Sequence, residues 1–224
     1  MEQHYRHEYK YMISASDAKM LCMRLPHFMK RDPHAGTNGC YTIRSLYFDD
    51  PTYAAFHEKA AGTDKRTKYR IRSYDYRNTL FRLEKKEKNG HLTRKTGQTL
   101  SMDQVLLLQS GEKLVPMEGL AEELRLKCTG NGLRPVVLVD YDRTAFVCAA
   151  GNTRITLDAD LRTIPYCKDI LGRTDAMLPV LEENQVILEV KFDDFLPGYL
   201  SDVLADVPKA PMAISKFAMC LNVI

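Results

Sequence analysis

Three signatures that often reveal a protein's class are missing from this sequence. Its six cysteines form no C-x-x-C pair and no spacing typical of zinc ligands, so they are predicted to be buried free thiols. There is no G-x-G-x-x-G segment and no P-loop, so the common nucleotide-binding folds have no support. No apolar run approaches the roughly 20 residues that a membrane-spanning helix needs.

These absences limit where the protein is expected to work. Free thiols are typical of a reducing compartment, so a cytoplasmic location is predicted. Residues 1–8 contain no apolar segment of the kind found in signal peptides. The formal net charge of +3 over 224 residues is too small to indicate nucleic-acid binding by itself. We therefore expect no nucleic-acid partner and no direct insertion into a membrane.

The order of predicted elements favours an antiparallel α+β protein. Strands are predicted at residues 5–13, 41–48, 66–76, 79–88, 91–96, 136–141, 144–149, 154–161 and 185–192. Helices are predicted at residues 14–23, 50–60, 101–109, 117–127, 197–206 and 212–221. Hairpin signals such as Asn89-Gly90 join the strands, and regular βαβ alternation is absent. Closing such a sheet would remove its edges, so a closed antiparallel eight-stranded β-barrel with flanking helices is predicted, as a single domain over residues 1–224.

Charged residues occupy every second position in five of the predicted strand regions. The alternating residues are Arg6, Glu8 and Lys10; Lys68, Arg70 and Arg72; Glu84 and Lys86; Arg154 and Asp158, with Thr156 between them; and Glu189 and Lys191. Because successive side chains of a strand point to opposite faces, each set lies on one face and an apolar set lies on the other. The pattern predicts a sheet whose charged face surrounds an anion.

If these charged faces all point inward, cations outnumber carboxylates on the inner surface of the predicted barrel. The cations are Arg6, Lys10, Arg70, Arg72, Lys86, Lys95, Arg143, Arg154 and Lys191, and the carboxylates are Glu8, Glu84, Asp158 and Glu189. Crowded cations are costly to bury unless a partner compensates them, and a phosphate chain suits the planar fork of arginine. The few carboxylates suit Mg²⁺ or Mn²⁺, which bridges phosphates.

Other interpretations of the same residues stay open. A single strand with alternating charges is more often a solvated face with salt bridges to a neighbouring strand. The run from Glu84 to Lys88 carries charge on both faces and also suits an exposed hairpin. Asp49 and Asp50 lie at a predicted helix start, where capping explains them better than metal binding.

Seven motifs in chain order resemble the VTC (vacuolar transporter chaperone) domain. They are Arg6-x-Glu8-x-Lys10-Tyr11, Leu46-Tyr47-Phe48-Asp49, Lys68-Tyr69-Arg70-Ile71-Arg72, Leu83-Glu84-x-Lys86, Tyr141-Asp142-Arg143, Leu188-Glu189-Val190-Lys191-Phe192 and Ser215-Lys216-Phe217. This domain is the polyphosphate polymerase module of the triphosphate tunnel metalloenzyme superfamily. The resemblance implies a tunnel of eight antiparallel strands, in which the γ-phosphate of ATP passes to a growing polyphosphate chain with the help of Mn²⁺ or Mg²⁺.

The resemblance also implies roles for individual residues. Lys10, Arg70, Arg72 and Glu189 are expected to be catalytic, and Glu189 and Glu8 are expected to bind the metal. The expected phosphate-binding residues are Arg6, Lys10, Arg70, Arg72, Lys86, Lys95, Arg143, Arg154, Lys191 and Lys216. Arg6 replaces the first glutamate of the superfamily's E-x-E-x-K opening, which favours the polymerase branch over a two-metal triphosphatase.

The expected function is therefore metal-dependent transfer of phosphate from ATP to polyphosphate inside a basic tunnel. ATP and polyphosphate or pyrophosphate are the expected partners. The sequence contains no SPX domain and no membrane helices, so a free-standing prokaryotic domain is expected, and a membrane protein would be needed if the product crosses a membrane. The alternatives are a triphosphatase or polyphosphatase of the same fold, and a non-catalytic module that binds polyphosphate or inositol phosphate.

Overall fold

The chain forms two compact units, which are described separately below. A computed structural model describes residues 6–90, 92–111, 115–172, 174–207 and 210–223. Unit 1 comprises Met1–Thr42, Tyr141–Leu161 and Pro179–Ser215, and unit 2 comprises Ile43–Asp140, Arg162–Leu178 and Lys216–Ile224. The prediction of a single domain over residues 1–224 stays a prediction.

Strands dominate the secondary structure. The strands are β1 (His7–Ser14), β2 (Lys30–Arg31), β3 (Cys40–Asp49), β4 (Lys65–Tyr74), β5 (Arg77–Asn89), β6 (Leu92–Leu100), β7 (Arg134–Cys148), β8 (Thr153–Pro165), β9 (Leu178–Pro179) and β10 (Gln185–Phe192). The helices are α1 (Ala15–Arg24), α2 (Ala54–Ala60), α3 (Met102–Ser110), α4 (Gly119–Gly130), α5 (Gly198–Val203) and α6 (Lys216–Leu221). In the described part of the chain, no helix has the length and apolar character needed to cross a membrane.

The strand order contradicts the predicted closed eight-stranded barrel. Ten strands pair in the order β1-β10-β8-β7-β3-β4-β5-β6, with β2 on β7 and β9 on β8. The pairs β1–β10, β10–β8, β2–β7, β3–β4, β4–β5 and β5–β6 are antiparallel. Among the described residues β1 does not pair with β6, so the sheet is not closed. The prediction of closure was wrong because alternation indicates which face a side chain takes and not whether two edge strands meet.

The two edge strands are protected in ways that need no closure. On β1, the backbone N–H of Met212 donates a hydrogen bond of 2.8 Å to the carbonyl of Lys10, so a chain segment occupies part of this edge. On β6, Arg94 and Lys95 are exposed, and charged side chains on an edge strand oppose pairing with other chains.

Unit 1 places its apolar strand residues against helices. Ile13 of β1, Ile155 of β8 and Leu188 of β10 are buried in one cluster with Leu21 of α1 and Leu200 of α5. Helix α1 begins with a capping box, because the Ser14 hydroxyl accepts from the Asp17 N–H and the Asp17 side chain accepts from the Ser14 N–H. The opposite face of these strands is left for charged residues.

Unit 2 has the same arrangement with its own core. Leu46 of β3, Ile71 of β4 and Leu83 of β5 pack in one cluster with Val105 of α3 and Leu124 of α4. Helices α3 and α4 thus cover the apolar face of β3, β4 and β5. The other face of these strands carries the alternating cations.

Several predicted elements differ from the observed ones. The strands predicted at 136–141 and 144–149 form one strand, β7, because the charged residues between them find partners: Thr42 donates to Asp142 at 2.7 Å, and Arg143 pairs with Asp158. Helix α2 begins at Ala54, later than predicted. All six cysteines are free thiols, but only Cys220 is fully buried.

Candidate functional site: two charged clusters

Unit 1 holds a group of six charged residues that we call the balanced cluster. Its members are Glu8, Lys10, Arg143, Asp158, Glu189 and Lys191. In the antiparallel register of β1 and β10, Lys10 lies opposite Glu189 and Glu8 lies opposite Lys191. Residues directly opposite on paired strands share a face. The register therefore produces a two-by-two arrangement in which positive and negative charges alternate.

Each glutamate of this arrangement lies near both lysines. The Nζ of Lys10 lies 3.0 Å from an oxygen of Glu8 and 3.6 Å from Oε1 of Glu189. The Nζ of Lys191 lies 3.1 Å from Oε1 of Glu189 and 4.0 Å from Oε2 of Glu8. Glu189 is buried, whereas both lysines keep about a quarter of their side-chain surface exposed. Lys10 also donates to the carbonyl of Ile214 at 3.2 Å.

Arg143 and Asp158 form the buried side of the balanced cluster. The arginine makes a two-pronged contact, with Nε 2.6 Å and Nη2 2.7 Å from the two oxygens of Asp158. Its Nη2 also lies 3.7 Å from Oε2 of Glu189. Burial lowers the pKa of Arg143, but the charge of Asp158 outweighs it and raises that pKa well above its ordinary value. Three cations thus lie among three carboxylates.

Two predicted phosphate-binding residues of unit 1 have partners elsewhere. Arg154 donates to Asp32 at 2.5 Å and to the Tyr41 hydroxyl at 3.0 Å. Arg6 donates to the carbonyl of Asn152 at 3.0 Å. Neither of these contacts is with a member of the balanced cluster, although both residues occupy the alternate positions that the predicted charged face requires.

Unit 2 holds a second group, which we call the cationic cluster. Its members are Arg70, Arg72, Glu84 and Lys95. In the β4–β5 register Arg70 lies opposite Glu84. Lys95 of β6 lies opposite Lys86 and reaches back to Glu84. One buried carboxylate is therefore the centre around which three cations gather.

The contacts of the cationic cluster are short. Nε and Nη2 of Arg70 lie 2.7 Å and 2.6 Å from Oε2 of Glu84, and Nζ of Lys95 lies 2.5 Å from Oε1. Arg72 is more distant, with Nη1 3.7 Å from Oε2. The Tyr47 hydroxyl accepts a hydrogen bond of 2.8 Å from Nη1 of Arg70. Tyr47 therefore fixes the arginine from the side opposite to the carboxylate.

The electrostatics of Glu84 follow from this crowding. Burial raises the pKa of Glu84, but the charges of Arg70, Arg72 and Lys95 outweigh burial and hold it well below its ordinary value of 4.5. Burial together with Arg70 and Arg72 lowers the pKa of Lys95, although Glu84 opposes this and half of the lysine side chain is exposed. Glu84 is thus firmly ionised and neutralises one of three positive charges.

Two buried polar atoms beside the cationic cluster have no hydrogen-bond partner among the described residues. They are Oγ of Ser45 and Nε of Arg72, whose residues lie opposite each other in the β3–β4 register. A buried donor or acceptor without a partner costs about 1–3 kcal/mol. Such atoms are typical of a position that a ligand or water completes.

The remaining predicted residues of unit 2 lie around the cationic cluster. Lys86 is exposed and shares its face by register with Lys68. The ring of Phe217 lies 5.0 Å from the ring of Tyr47 and 4.5 Å from Nζ of Lys68, so α6 packs on the charged side of the sheet. Lys216 is the first residue of α6.

Sequence reasoning missed Ser45, Tyr47 and Phe217 as candidate site residues. Ser45 and Tyr47 lie at alternate positions of β3, but the strand also buries Leu46 and Phe48, so its charged face cannot be recognised from a pattern of charges. The strand pairing would have revealed them, because Tyr47 lies opposite Arg70.

The donor atoms of the balanced cluster fit a divalent metal ion only in part. In the described residues no three His, Cys, Asp or Glu side chains form a group that could hold a metal ion. Glu8 and Glu189 offer two carboxylates, and the buried Oγ1 of Thr156, opposite Glu189, has no hydrogen-bond partner within the described part of the chain. Mg²⁺ commonly takes one or two carboxylates and completes its shell with water and phosphate oxygens. The balanced cluster thus supplies two carboxylates, and the remaining ligands of such an ion would have to come from water or a bound molecule.

Comparison with solved structures shows a shared fold at low sequence identity. A candidate adenylate cyclase from Bacillus halodurans matches with a TM-score of 0.53 and 16% identity, over 92% of this chain and 89% of that one. The PH1819 protein from Pyrococcus horikoshii matches with a TM-score of 0.52 and 13% identity, over 98% of this chain and 100% of that one. Comparison with curated protein sequences found no significant match.

Comparison with protein-family models agrees with the motifs found in the sequence. The model of the VTC domain matches residues 5–224. The match includes both charged clusters and all seven motifs, so the predicted resemblance is confirmed. The chain belongs to the VTC domain family.

Proposed function

We propose that this protein is a metal-dependent phosphotransferase that uses ATP to extend polyphosphate. Membership of the VTC domain family supports a phosphate-related function and a phosphoryl-transfer enzyme. The cationic cluster carries the finer proposal, because it gathers three cations around one buried carboxylate. A phosphate chain supplies the closely spaced negative charges that such a group lacks.

The cationic cluster is proposed to grip and neutralise the phosphate chain. Arg70 and Arg72 present planar guanidinium groups, which can each take two phosphate oxygens, and Tyr47 holds Arg70 in position. Lys95 is half exposed and adds a compact point charge. Phosphoryl transfer depends mainly on positioning and on neutralising the charge of the transferred group, so these side chains can be catalytic without a nucleophilic residue.

The balanced cluster is proposed to act through its carboxylates and lysines. Glu189 and Glu8 would hold Mn²⁺ or Mg²⁺, which when bound neutralises and bridges phosphate oxygens. Lys10 is proposed to bind a phosphate oxygen. Lys191 and Arg143 are proposed to contribute further positive charge. Arg6, Lys86, Arg154 and Lys216 also stay proposals as phosphate-binding residues, as do ATP and polyphosphate or pyrophosphate as partners and the cytoplasm as location.

Incubation with ATP and Mn²⁺, followed by gel analysis of phosphate chains, tests the proposal. We expect chains that lengthen with time in the wild type and a loss of at least about 100-fold in rate for Arg70→Ala, because a bidentate phosphate contact disappears. Arg94→Ala, an exposed arginine at a position of β6 that alternates with Lys95, is the matched control and should keep its rate. Release of orthophosphate without chain growth would reject polymerase activity.

A triphosphatase or polyphosphatase is the second candidate, favoured by the closeness of Glu8 and Glu189 to the same two lysines. Water would then replace the chain end as the attacking group, and the same gel distinguishes the two products.

The Glu189→Gln variant distinguishes an enzyme from a non-catalytic binding module. Loss of turnover with retained binding of tripolyphosphate supports an enzyme, whereas a wild type that binds without turnover supports a binding module.

A further inference from the structure

Arg82 of β5 lies on the same face as the cationic cluster but was not among the predicted site residues. In the β4–β5 register it is opposite Arg72, and in the β5–β6 register it is opposite Thr99. With Ser45 opposite Arg72, these residues form one row across four strands. The row lies two residues, about 7 Å, from the row that contains Arg70 and Glu84.

The guanidinium group of Arg82 lies next to Gly97. A Cβ atom added to Gly97 would lie 3.0 Å from Nη2, 3.1 Å from Nε and 3.2 Å from Cζ of Arg82. These distances are shorter than ordinary van der Waals contacts, so a Cβ atom there would push the guanidinium aside by a few tenths of an ångström. Gly97 lies opposite Glu84, so Arg82 leans from its own row toward the cationic cluster.

The positive charges in this row could accept an anion. Arg82 forms no ion pair with any carboxylate in the described ranges of the chain. Like charges directly opposite on paired strands destabilise a sheet, and Arg72 and Arg82 are such a pair. Arg72 is 7% exposed, and its Nε, like the hydroxyl of Ser45, has no hydrogen-bond partner within the described residues. A buried donor, a buried hydroxyl and an arginine without a carboxylate thus meet in one row.

We infer that Arg82, positioned by Gly97, is a further phosphate-binding residue and forms with Arg72 and Ser45 a second phosphate position beside the cationic cluster. This inference rests on the proposed function, since it assigns an additional contact to the same phosphate chain. Two neighbouring positions favour a chain of at least three phosphates over a single orthophosphate, because only a chain spans both rows.

Binding of inorganic tripolyphosphate, measured by isothermal titration calorimetry without ATP, tests the inference apart from catalysis. We expect Arg82→Gln to weaken binding about tenfold, the loss of one charge-assisted contact. Arg94→Gln removes the same charge from the opposite face of the hairpin and should change the affinity by less than about twofold. Equal affinities of the wild type and Arg82→Gln would overturn the inference and leave the proposed function standing. A wild type that does not bind tripolyphosphate would overturn both.

Gly97→Ala tests the positioning of Arg82. The added methyl group must displace the guanidinium, so we expect about threefold weaker binding, while Gly130→Ala, with open space around its Cβ position, should bind as the wild type does. In the double variant with Arg82→Gln, the effect of Gly97→Ala should disappear, because the side chain that it displaces is gone. Additive losses would contradict the positioning role. Thermal unfolding of each variant confirms that the fold is kept.

Discussion

In the balanced cluster of unit 1 every lysine or arginine lies beside a carboxylate, whereas in the cationic cluster of unit 2 one carboxylate serves three cations. Both clusters lie on the face of the strands opposite to an apolar core. The difference arises from strand register. In unit 1 it places lysine opposite glutamate twice, and in unit 2 it places one glutamate among arginines and lysines.

This difference shows which unit should respond to an anion. Buried charges are tolerated when they are paired, so the balanced cluster needs no ligand for its stability. The cationic cluster keeps an excess of positive charge, so an added phosphate chain should stabilise it. Unit 1 thus carries paired charges, whereas unit 2 carries an excess of positive charge.

The largest expected effect is the loss of stability when the balanced cluster is broken at its buried side. Asp158→Asn leaves the buried Arg143 without its main counter-charge, and we expect the free energy of unfolding to fall by about 3–5 kcal/mol in urea titrations. Adding tripolyphosphate should not restore the unfolding free energy that this variant loses. Replacing both partners, with Arg143→Met and Asp158→Leu, should recover part of the loss. A decrease below about 1 kcal/mol for Asp158→Asn would contradict this account of the balanced cluster.

A smaller effect, dependent on ligand and pH, is expected for Glu84→Gln in the cationic cluster. At neutral pH the variant should lose about 1–3 kcal/mol of unfolding free energy, because three cations then lack their shared carboxylate. Saturating tripolyphosphate should restore most of this loss, since binding to the folded state alone stabilises it. If phosphate leaves the stability of the variant unchanged, the two clusters do not differ in the way described.

The pH dependence of stability should also differ between the wild type and Glu84→Gln. The folded-state pKa of Glu84 is well below the ordinary 4.5, so its ionised form contributes stability above about pH 4.5 that is lost as the pH falls below it. The wild type should therefore lose up to about 1.4 kcal/mol more per pH unit than Glu84→Gln in this acidic range. Parallel stability curves for the two proteins in that range would contradict the depressed pKa.

The smallest effect is expected at an exposed ion pair of unit 1, where Nη1 of Arg24 lies 2.6 Å from Asp206. Both side chains are about half exposed, so solvent screens their attraction. Asp206→Asn should reduce the unfolding free energy by less than about 1 kcal/mol, measured in the same urea titrations. A loss as large as that of Asp158→Asn would show that burial does not explain the stability of the balanced cluster.

Much of the charged face could be predicted because strand alternation is a local property. Tyr69 and Ile71 are buried in the core while Arg70 and Arg72 lie on the other face, as the pattern requires. The VTC resemblance was likewise visible in short motifs. The closed barrel was not predictable in this way, because closure depends on edge strands that are distant in sequence.

The residues that each charged side chain contacts could not be predicted from the alternating pattern either. Arg154 occupies an alternate position of its strand but donates to Asp32, and Arg6 contacts Asn152. Arg82 alternates with Glu84 and Lys86 but was not among the predicted site residues, and only the register shows that it lies opposite Arg72. Long charged side chains can reach several neighbours, and only the packed strands decide which neighbour is close.

Family membership and the faces of the strands could be recognised from the sequence, because they depend on short motifs and on the two-residue period of a strand. The folded structure was needed to learn that Glu84 gathers three cations, that Glu189 is paired with lysines and that the described strands do not close into a barrel. These features depend on strand register and pairing order, which bring together side chains that are far apart along the chain.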